Sequence, residues 1–201
     1  MVQRALKDLK DGRFVIIVDD EGRENEGDLV MAAQFCSPEK VNFMLKHAKG
    51  LICVPITEKR AKQLLLPRMV PDSQNTEVTQ CKFTVSVDFK KGTTTGISAK
   101  DRSATIQALS HLKSKSDDFS RPGHVFPLVA EEGGVLKRDG HTEAVIDLLK
   151  LASLKEIGVL CEILNEEGNA AARGELELFA KSYGFSILSI KDLIAFRREH
   201  E

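Results

Sequence analysis

Short apolar runs alternate with helix-like segments along almost the whole chain, and this alternation constrains the fold more than any other feature. The runs Phe14–Val18, Leu51–Ile56 and Ile157–Leu164 are typical of buried strands. Between such runs, apolar residues recur every three or four positions, as they do on one face of a helix. Alternating strands and helices, without an internal repeat or a Gly/Ser-rich linker, predict one α/β or α+β domain with a mixed sheet over residues 1–201.

Residues that begin and end helices set the predicted bounds. Ser98 and Ser189 are of a type that caps helix starts, and Gly184 is of the type that ends helices. The pattern predicts helices over 2–11, 38–49, 58–66, 99–112, 141–151, 175–183 and 190–200. It predicts strands over 14–18, 29–33, 51–56, 83–87, 125–130, 157–164 and 185–188. The segments 19–28, 67–79 and 113–123 are expected to be loops.

The composition argues against several classes of protein. The 29 Lys and Arg nearly balance the 30 Asp and Glu, and only 5% of residues are aromatic, which argues against nucleic acid as a partner. The four cysteines contain no CxxC pair, so a structural zinc site has little support. The N-terminus has no signal core, and no apolar window reaches the roughly 18 residues of a membrane span. We therefore expect a reduced, cytoplasmic protein without a membrane partner.

The segment Asp19–Asp28 carries six acids directly after a buried strand. An acidic run is most often a solvated loop. In this run, however, Arg23 stands among the acids, and Gly22 and Gly27 give the backbone the freedom of a lid. Sites in α/β proteins collect at the ends of strands, and hard carboxylate oxygens suit Mg²⁺ or Mn²⁺. The loop is therefore a candidate metal site.

Two histidines each follow a glycine, within three residues of an arginine, in Arg121-Pro-Gly-His124 and Arg138-Asp-Gly-His141. His141 and Thr142 also begin a predicted helix. Backbone N–H groups at such a start, together with Arg138 and the Thr142 hydroxyl, favour a phosphate. A plain helix cap is the alternative.

Glu162 lies inside the apolar run Val159–Leu164. It either faces solvent, which strand alternation permits, or points into a pocket where burial would raise its pKa and suit it to base chemistry. The turn Thr93–Ser98 offers hydroxyl groups that are either part of a plain turn or an additional ligand contact. The chain lacks the glycine-rich loops of dinucleotide and nucleotide-phosphate sites. Together these features predict a divalent-metal enzyme that acts on a small phosphorylated polyol or ketose.

Four long motifs, Asp19–Asp28, Thr94–Arg102, Arg121–Leu128 and Arg138–Ala144, resemble signatures of the 3,4-dihydroxy-2-butanone 4-phosphate synthase family of riboflavin biosynthesis. The resemblance runs from about Val2 to the C-terminus. In many bacteria this domain is fused to a GTP cyclohydrolase II domain, whose additional residues and cysteine zinc site are missing from this sequence. The resemblance is therefore to the stand-alone form.

The resemblance implies an α+β three-layer sandwich, in which a mixed sheet is flanked by helices, and a homodimer with active sites at its interface. It implies conversion of D-ribulose 5-phosphate to L-3,4-dihydroxy-2-butanone 4-phosphate and formate, with Mg²⁺ or Mn²⁺, two ions per site. In this reaction the substrate's carbon 2 carbonyl and carbon 3 hydroxyl chelate a metal. A base removes the carbon 3 proton, and carbon 4 later departs as formate.

The resemblance also implies roles for individual residues. Glu24 and His141 match metal ligands. The positions that match substrate contacts are Arg23, Glu24, Asp28, Thr95, Glu162 and the run Arg138, Asp139, Gly140, His141 and Thr142. His124 and Glu162 match positions essential for catalysis. Glu26, Asp28 and Cys53 match further catalytic positions.

Two other functions would use some of the same features. A metal-dependent ketose-phosphate isomerase or aldolase would share the proton abstraction but release no formate. A non-enzymatic sugar-phosphate-binding regulator would show no turnover and would have no need of Glu162 or the acidic loop. Formate release therefore separates the three hypotheses.

Overall fold

The computed structural model describes residues 1–20 and 22–200, which form seven helices around one seven-stranded sheet. The strands are β1 (Val15–Val18), β2 (Gly27–Ala32), β3 (Lys49–Ile56), β4 (Val87–Phe89), β5 (Phe119–Val129), β6 (Gly158–Ile163) and β7 (Ser186–Ser189). The helices are α1 (Val2–Lys10), α2 (Pro38–Phe43), α3 (Glu58–Gln63), α4 (Ala99–Ser110), α5 (His141–Leu151), α6 (Arg173–Tyr183) and α7 (Ile190–His200). A π-helical turn, Met44–Ala48, continues α2.

The sheet is mixed, as the sequence predicts, and its strand order is β4-β5-β3-β6-β2-β1-β7. β1 runs parallel to β7 and β3 runs parallel to β5. The four other neighbouring pairs are antiparallel. This register places the start of β2, the end of β6 and the start of β3 at the same end of the sheet.

Helices cover both faces of the sheet, because alternate strand side chains point to opposite faces. Ile16 and Val18 pack into one core with residues of α2, α4 and α6. Val15 and Ile17 pack into the other core with residues of α1, α5 and α7. The α+β three-layer sandwich is therefore confirmed.

Several predicted helix ends are also confirmed. α5 begins at His141 and ends at Leu151, as its pattern predicts. The Ser98 hydroxyl caps α4 by accepting the N–H of Asp101 at 3.0 Å. Gly184 ends α6 in the left-handed region, at φ +69°. Local sequence chemistry therefore determines where these helices begin and end.

The strand predicted over 83–87 is wrong in position. The strand in this region is β4, and Phe83 pairs with Leu128 only at an isolated bridge. Pro127 of β5 has no N–H to donate, so the ladder is interrupted beside it. The alternation of apolar residues is real, but the neighbouring strand cannot complete the hydrogen bonds.

The loop predicted over 113–123 is also too long, since β5 begins at Phe119. Phe119 and Ser120 pair with β4, and the register shifts between Val87 and Asp88. Pro122-Gly123 reads as a turn in the sequence, but here it is an irregularity within one long strand.

The helices are short, and the longest, α4, has 12 residues. A membrane-spanning helix needs about 20 apolar residues. Within residues 1–20 and 22–200, no helix has the length and apolarity to cross a bilayer.

Candidate active site

A cavity of about 260 Å³ lies at the end of the sheet where β2 and β3 begin and β6 ends, and we call it the acidic pocket. Nine of the residues predicted from the sequence line it: Arg23, Glu24, Glu26, Asp28, Cys53, Arg138, His141, Thr142 and Glu162. Apolar side chains complete the wall: Leu51, Phe83, Leu128 and Leu160. The loop after α3 adds polar residues: Glu77, Thr79 and Cys81.

Strand register brings the acids together. Asp28 lies opposite Glu162 in the β2–β6 pair, and Cys53 lies opposite Leu160 in the β3–β6 pair. Since alternate residues of a strand point to the same face, Leu160 and Glu162 project together. Of the two orientations that the sequence leaves open for Glu162, the structure has the one in which it lines a pocket.

Asp19 organises the acidic loop between β1 and β2. Its carboxylate accepts the N–H groups of Glu24 at 3.0 Å and Glu26 at 2.8 Å, and Arg23 Nη1 donates to it at 2.9 Å. Burial opposes ionisation of Asp19, but these hydrogen bonds outweigh burial and lower its pKa. Glu21, another acid of this loop, lies outside the described residues.

Asp19, Glu24 and His141 have a geometry that can hold a cation, because one potential ligand atom from each lies within 4.8 Å of the other two. His141 is buried, and its Nε2 atom has no hydrogen-bond partner among the described residues. Burial lowers the pKa of His141 despite the carboxylates of Asp19 and Glu24, which favours the neutral imidazole that binds metals. Two hard carboxylate donors favour Mg²⁺ or Mn²⁺. The residues present therefore fit a divalent cation.

The other carboxylates of the acidic pocket have raised pKa values. Burial and the charge of Glu162 raise the pKa of Glu26 to about 8. Burial and the charge of Glu24 raise the pKa of Asp28 to about 7. Burial and the charge of Asp28 raise the pKa of Glu162 as well. Carboxyl groups of this kind hold protons close to neutral pH, which suits proton transfer.

Cys53 lies buried in the same wall, and its thiol stays protonated. Burial is the main reason that its pKa is raised well above the usual range. A protonated thiol is a poor nucleophile. The surroundings of Cys53 therefore suit a small side chain that packs in the pocket wall. Its catalytic role stays a prediction.

The start of α5 adds a site that can hold an anion. No side chain caps the first N–H groups of this helix, which follow Gly140. Arg138 and Thr142 line the acidic pocket beside them. Free N–H groups, a guanidinium and a hydroxyl together favour a phosphate. Asp139 is exposed outside this wall, 3.9 Å from Arg23 Nε.

Four predicted site residues do not line the acidic pocket. Asp139 and Gly140 lie in the chain between its lining residues Arg138 and His141, whereas Thr95 and His124 lie near the β4–β5 edge of the sheet. Asp88 of β4 accepts the His124 backbone N–H at 2.9 Å, and its other oxygen is 2.7 Å from His124 Nδ1. Gly96, which follows Thr95, has φ +98°, and a Cβ there would collide with the Asp88 carboxylate. We call Asp88, Thr95, Gly96 and His124 the edge cluster. With Nδ1–H donated to Asp88, a neutral His124 has its lone pair on Nε2.

Sequence reasoning missed three residues that shape these sites. Asp19 was visible as the first acid of the loop, but its spacing does not distinguish it from its neighbours. Thr79 comes from a loop that has no periodicity, so no signal pointed to it. Asp88 lies far from His124 in the sequence, and the hydrogen bonds between them depend on β4–β5 pairing.

The acidic pocket has side chains that fit a divalent cation, with groups that can hold an anion beside them, and it is set in an α+β sandwich. The family model of 3,4-dihydroxy-2-butanone 4-phosphate synthase matches residues 3–196. The chain therefore belongs to the 3,4-dihydroxy-2-butanone 4-phosphate synthase family.

Full-length relatives and solved structures agree with this membership. The chain is 52% identical over 200 residues to riboflavin biosynthesis protein RibBA of Bacillus mycoides, covering 100% of this chain and 50% of the relative. It is 53% identical over 197 residues to RibBA of Endomicrobium trichonymphae, covering 98% of this chain and 48% of that relative. The chain thus spans about half the length of these curated relatives.

Among solved structures, RibBX of A. baumannii, a two-domain 3,4-dihydroxy-2-butanone 4-phosphate synthase, has a TM-score of 0.95 and 48% identity, covering 100% of this chain and 58% of that one. A 3,4-dihydroxy-2-butanone 4-phosphate synthase in complex with two magnesium ions has a TM-score of 0.90 and 39% identity, covering 98% and 96%.

Proposed function

We propose that this chain converts D-ribulose 5-phosphate to L-3,4-dihydroxy-2-butanone 4-phosphate and formate, a lyase reaction of riboflavin biosynthesis. The proposal rests on one observation: acidic side chains of the β1–β2 hairpin, Glu162 of β6 and the start of α5 all line the same cavity. Family membership supports the same reaction. We also propose a cytoplasmic location and a single catalytic domain over residues 1–201.

Glu24 and His141 would hold the divalent cation, with Asp19 as a third ligand. We propose Mg²⁺ or Mn²⁺, two ions per site; a similar structure in complex with two magnesium ions supports the use of a divalent metal. A bound cation polarises the substrate carbonyl and stabilises negative charge on the adjacent oxygens. The orphaned Nε2 atom of buried His141 supports this assignment from the structure itself.

The remaining carboxylates would move protons. Glu162 and Asp28 face each other across β2 and β6 at the cavity wall, where either can reach a substrate bound at the cation. Glu26 lines the same cavity on the loop that precedes β2. Three carboxylates around one small ligand provide both an acid and a base for successive proton transfers.

The substrate phosphate would bind at the start of α5. Arg138 and Thr142 supply a guanidinium and a hydroxyl there, and Gly140 leaves the first N–H groups of the helix uncapped. Arg23 and Asp139 would contact the substrate from the rim of the acidic loop. With the phosphate held there, the carbons of the substrate would extend toward the carboxylates that line the same cavity.

We further propose a homodimer in which the edge cluster of one protomer completes the acidic pocket of its partner. The support is that His124, which matches an essential position of the family, does not line the pocket of its own chain. Thr95 would act from the same cluster. Asp88 would fix the His124 ring with Nε2 as the acceptor.

The test is formate release from ribulose 5-phosphate, measured with and without EDTA. We expect formate only with a divalent cation, and recovery when Mg²⁺ or Mn²⁺ is added back. Full activity after exhaustive chelation would refute the metal role. An isomerised pentose phosphate without formate would favour the isomerase hypothesis, and no turnover would favour a binding protein.

A pair of neighbouring aspartates tests the third ligand. Asp19→Asn should raise the Mg²⁺ concentration needed for half-maximal activity by about 10-fold or more, the scale of losing a metal-site contact. Asp20→Asn is the matched control, because Asp20 is the exposed neighbour. Equal Mg²⁺ dependence in both variants would remove Asp19 from the ligand set.

A further inference from the structure

Arg138, the guanidinium at the anion site, is held in place by a buried carboxylate to which no role has been assigned. Glu143 lies in the first turn of α5 and is only 1% exposed. Its Oε2 atom accepts Arg138 Nη1–H at 2.5 Å, and its Oε1 atom accepts the backbone N–H of Glu131 at 2.8 Å. Both oxygens are therefore used, and one of them fixes the arginine.

Gly140 lies directly beside the Arg138–Glu143 ion pair. Gly140 has φ −97° and ψ 159°, an extended conformation that any residue adopts. A Cβ there would nevertheless collide with the Arg138 guanidinium and the Glu143 carboxylate. A side chain at position 140 would therefore push against the ends of these two side chains, whereas the backbone there tolerates any residue.

A second contact fixes the other edge of the guanidinium. The Thr79 carbonyl accepts Arg138 Nε–H at 3.0 Å and Nη2–H at 2.9 Å. The Glu77 carboxylate shapes this turn by accepting the N–H groups of Thr79 at 3.0 Å and Cys81 at 2.7 Å. Arg138 is therefore held between α5 and the loop after α3, and the plane of its guanidinium is set before a ligand arrives.

We propose that Glu143 is a positioning residue: it holds Arg138 in the orientation in which its guanidinium meets the substrate phosphate. This inference rests on the proposed function for the identity of the anion. Glu143 itself does not line the acidic pocket, so it acts only through Arg138. An arginine that is already oriented loses less side-chain freedom when the phosphate binds.

The test is Glu143→Gln, which keeps the shape of the side chain but offers one acceptor where two donors, Arg138 and the Glu131 N–H, require two. We expect the KM for ribulose 5-phosphate and the dissociation constant of inorganic phosphate to rise about 10-fold, the scale of losing an outer-shell partner. We expect kcat and the Mg²⁺-induced thermal shift to stay within about two-fold of wild type, because the variant weakens only the binding of the phosphate group.

A double-mutant cycle separates positioning from general structural damage. Because Glu143 acts through Arg138, adding Glu143→Gln to Arg138→Met should raise KM no further than Arg138→Met alone. Additive losses would overturn the proposal, and so would an unchanged phosphate affinity in the single variant. Glu177→Gln, at the exposed Arg173–Glu177 pair outside the pocket, is the matched control.

If Glu143→Gln does not fold, Gly140→Ala is the second test. Its added methyl group would push on the Arg138 and Glu143 side chains where they meet. It should show the same rise in KM and in the phosphate dissociation constant, and unchanged values would overturn the proposal. Phosphate binding is measured by calorimetry without turnover. Absence of formate in the wild type would therefore refute the proposed function and still leave Glu143 testable.

Discussion

The acidic pocket and the edge cluster contain residues of one proposed reaction, but they are built in opposite ways. The acidic pocket lies at one end of the central strands, where Asp28 is buried and β2 and β6 hold its acids in register. The edge cluster lies at the last strand pair, where the His124 side chain is 41% exposed and Thr95 is exposed. Asp88 orients the histidine there through two hydrogen bonds.

The difference shows which functions a single chain can complete. Burial and crowding of like charges raise the pKa values of the pocket carboxylates within one protomer. The His124 side chain is 41% exposed, and in the proposed dimer the partner protomer would cover it. The following experiments test this contrast between a completed and an incomplete site.

Glu162→Gln should have the largest effect. Glutamine keeps the shape of the side chain but cannot take up a proton, so kcat for formate release should fall by about 100-fold or more. Substrate affinity should barely change, and the melting temperature should stay or rise because the repulsion from Asp28 is gone. Glu166→Gln, at a side chain that is 92% exposed, is the control. A near-normal kcat in Glu162→Gln would show that Glu162 has no catalytic role.

A mixed dimer should show whether the two regions work across protomers. We would co-express Glu162→Gln and His124→Asn chains with different tags and isolate the doubly tagged dimer. In a two-fold dimer with shared sites, one site carries both lesions and the other carries none, so about half of wild-type turnover should return. Turnover as low as that of the single variants would place both regions of each site in the same chain.

Asp88→Asn should have the smallest effect of the three. The amide holds His124 less well and no longer favours the proton on Nδ1, so kcat should fall by about 10-fold while the KM stays unchanged. Lys90→Gln, on the same edge but without a contact to His124, is the control. An unchanged kcat in Asp88→Asn would show that this carboxylate is only structural.

Local chemistry made much of the fold predictable. The start of α5 at His141 follows from the Gly140–His141 junction and the helix period, and Ser98 and Gly184 mark helix ends through contacts within a few residues. Seven of the nine predicted residues of the acidic pocket lie within the quoted family motifs; Cys53 and Glu162 lie outside these motifs, and the resemblance over the whole chain pointed to them. Glu162 could not be oriented from alternation alone, since both faces of a strand are permitted until its neighbours are known.

The remaining features depend on contacts between distant segments. Thr79 reaches Arg138 from a loop with no periodic signal, and Asp88 meets His124 through an irregular strand pair. The position of β4, which differs from the predicted range 83–87, also depends on a distant segment, because Pro127 on the neighbouring strand has no N–H to donate. Sequence patterns describe one segment at a time, so such pairings become visible only in three dimensions.

The pairing of β1 with β7 has a consequence for how this chain is synthesised. Val15 lies opposite Ser186, so β1 can complete its pairing only after β7, far along the chain, has been synthesised. Until β7 emerges, the nascent sheet has an open edge at β1 that can pair with other chains. The proposed cation ligand His141 lies in α5, so a cation would not stabilise the part of the chain made before α5. A nascent chain that stops before β7 therefore keeps this strand edge exposed, which favours aggregation.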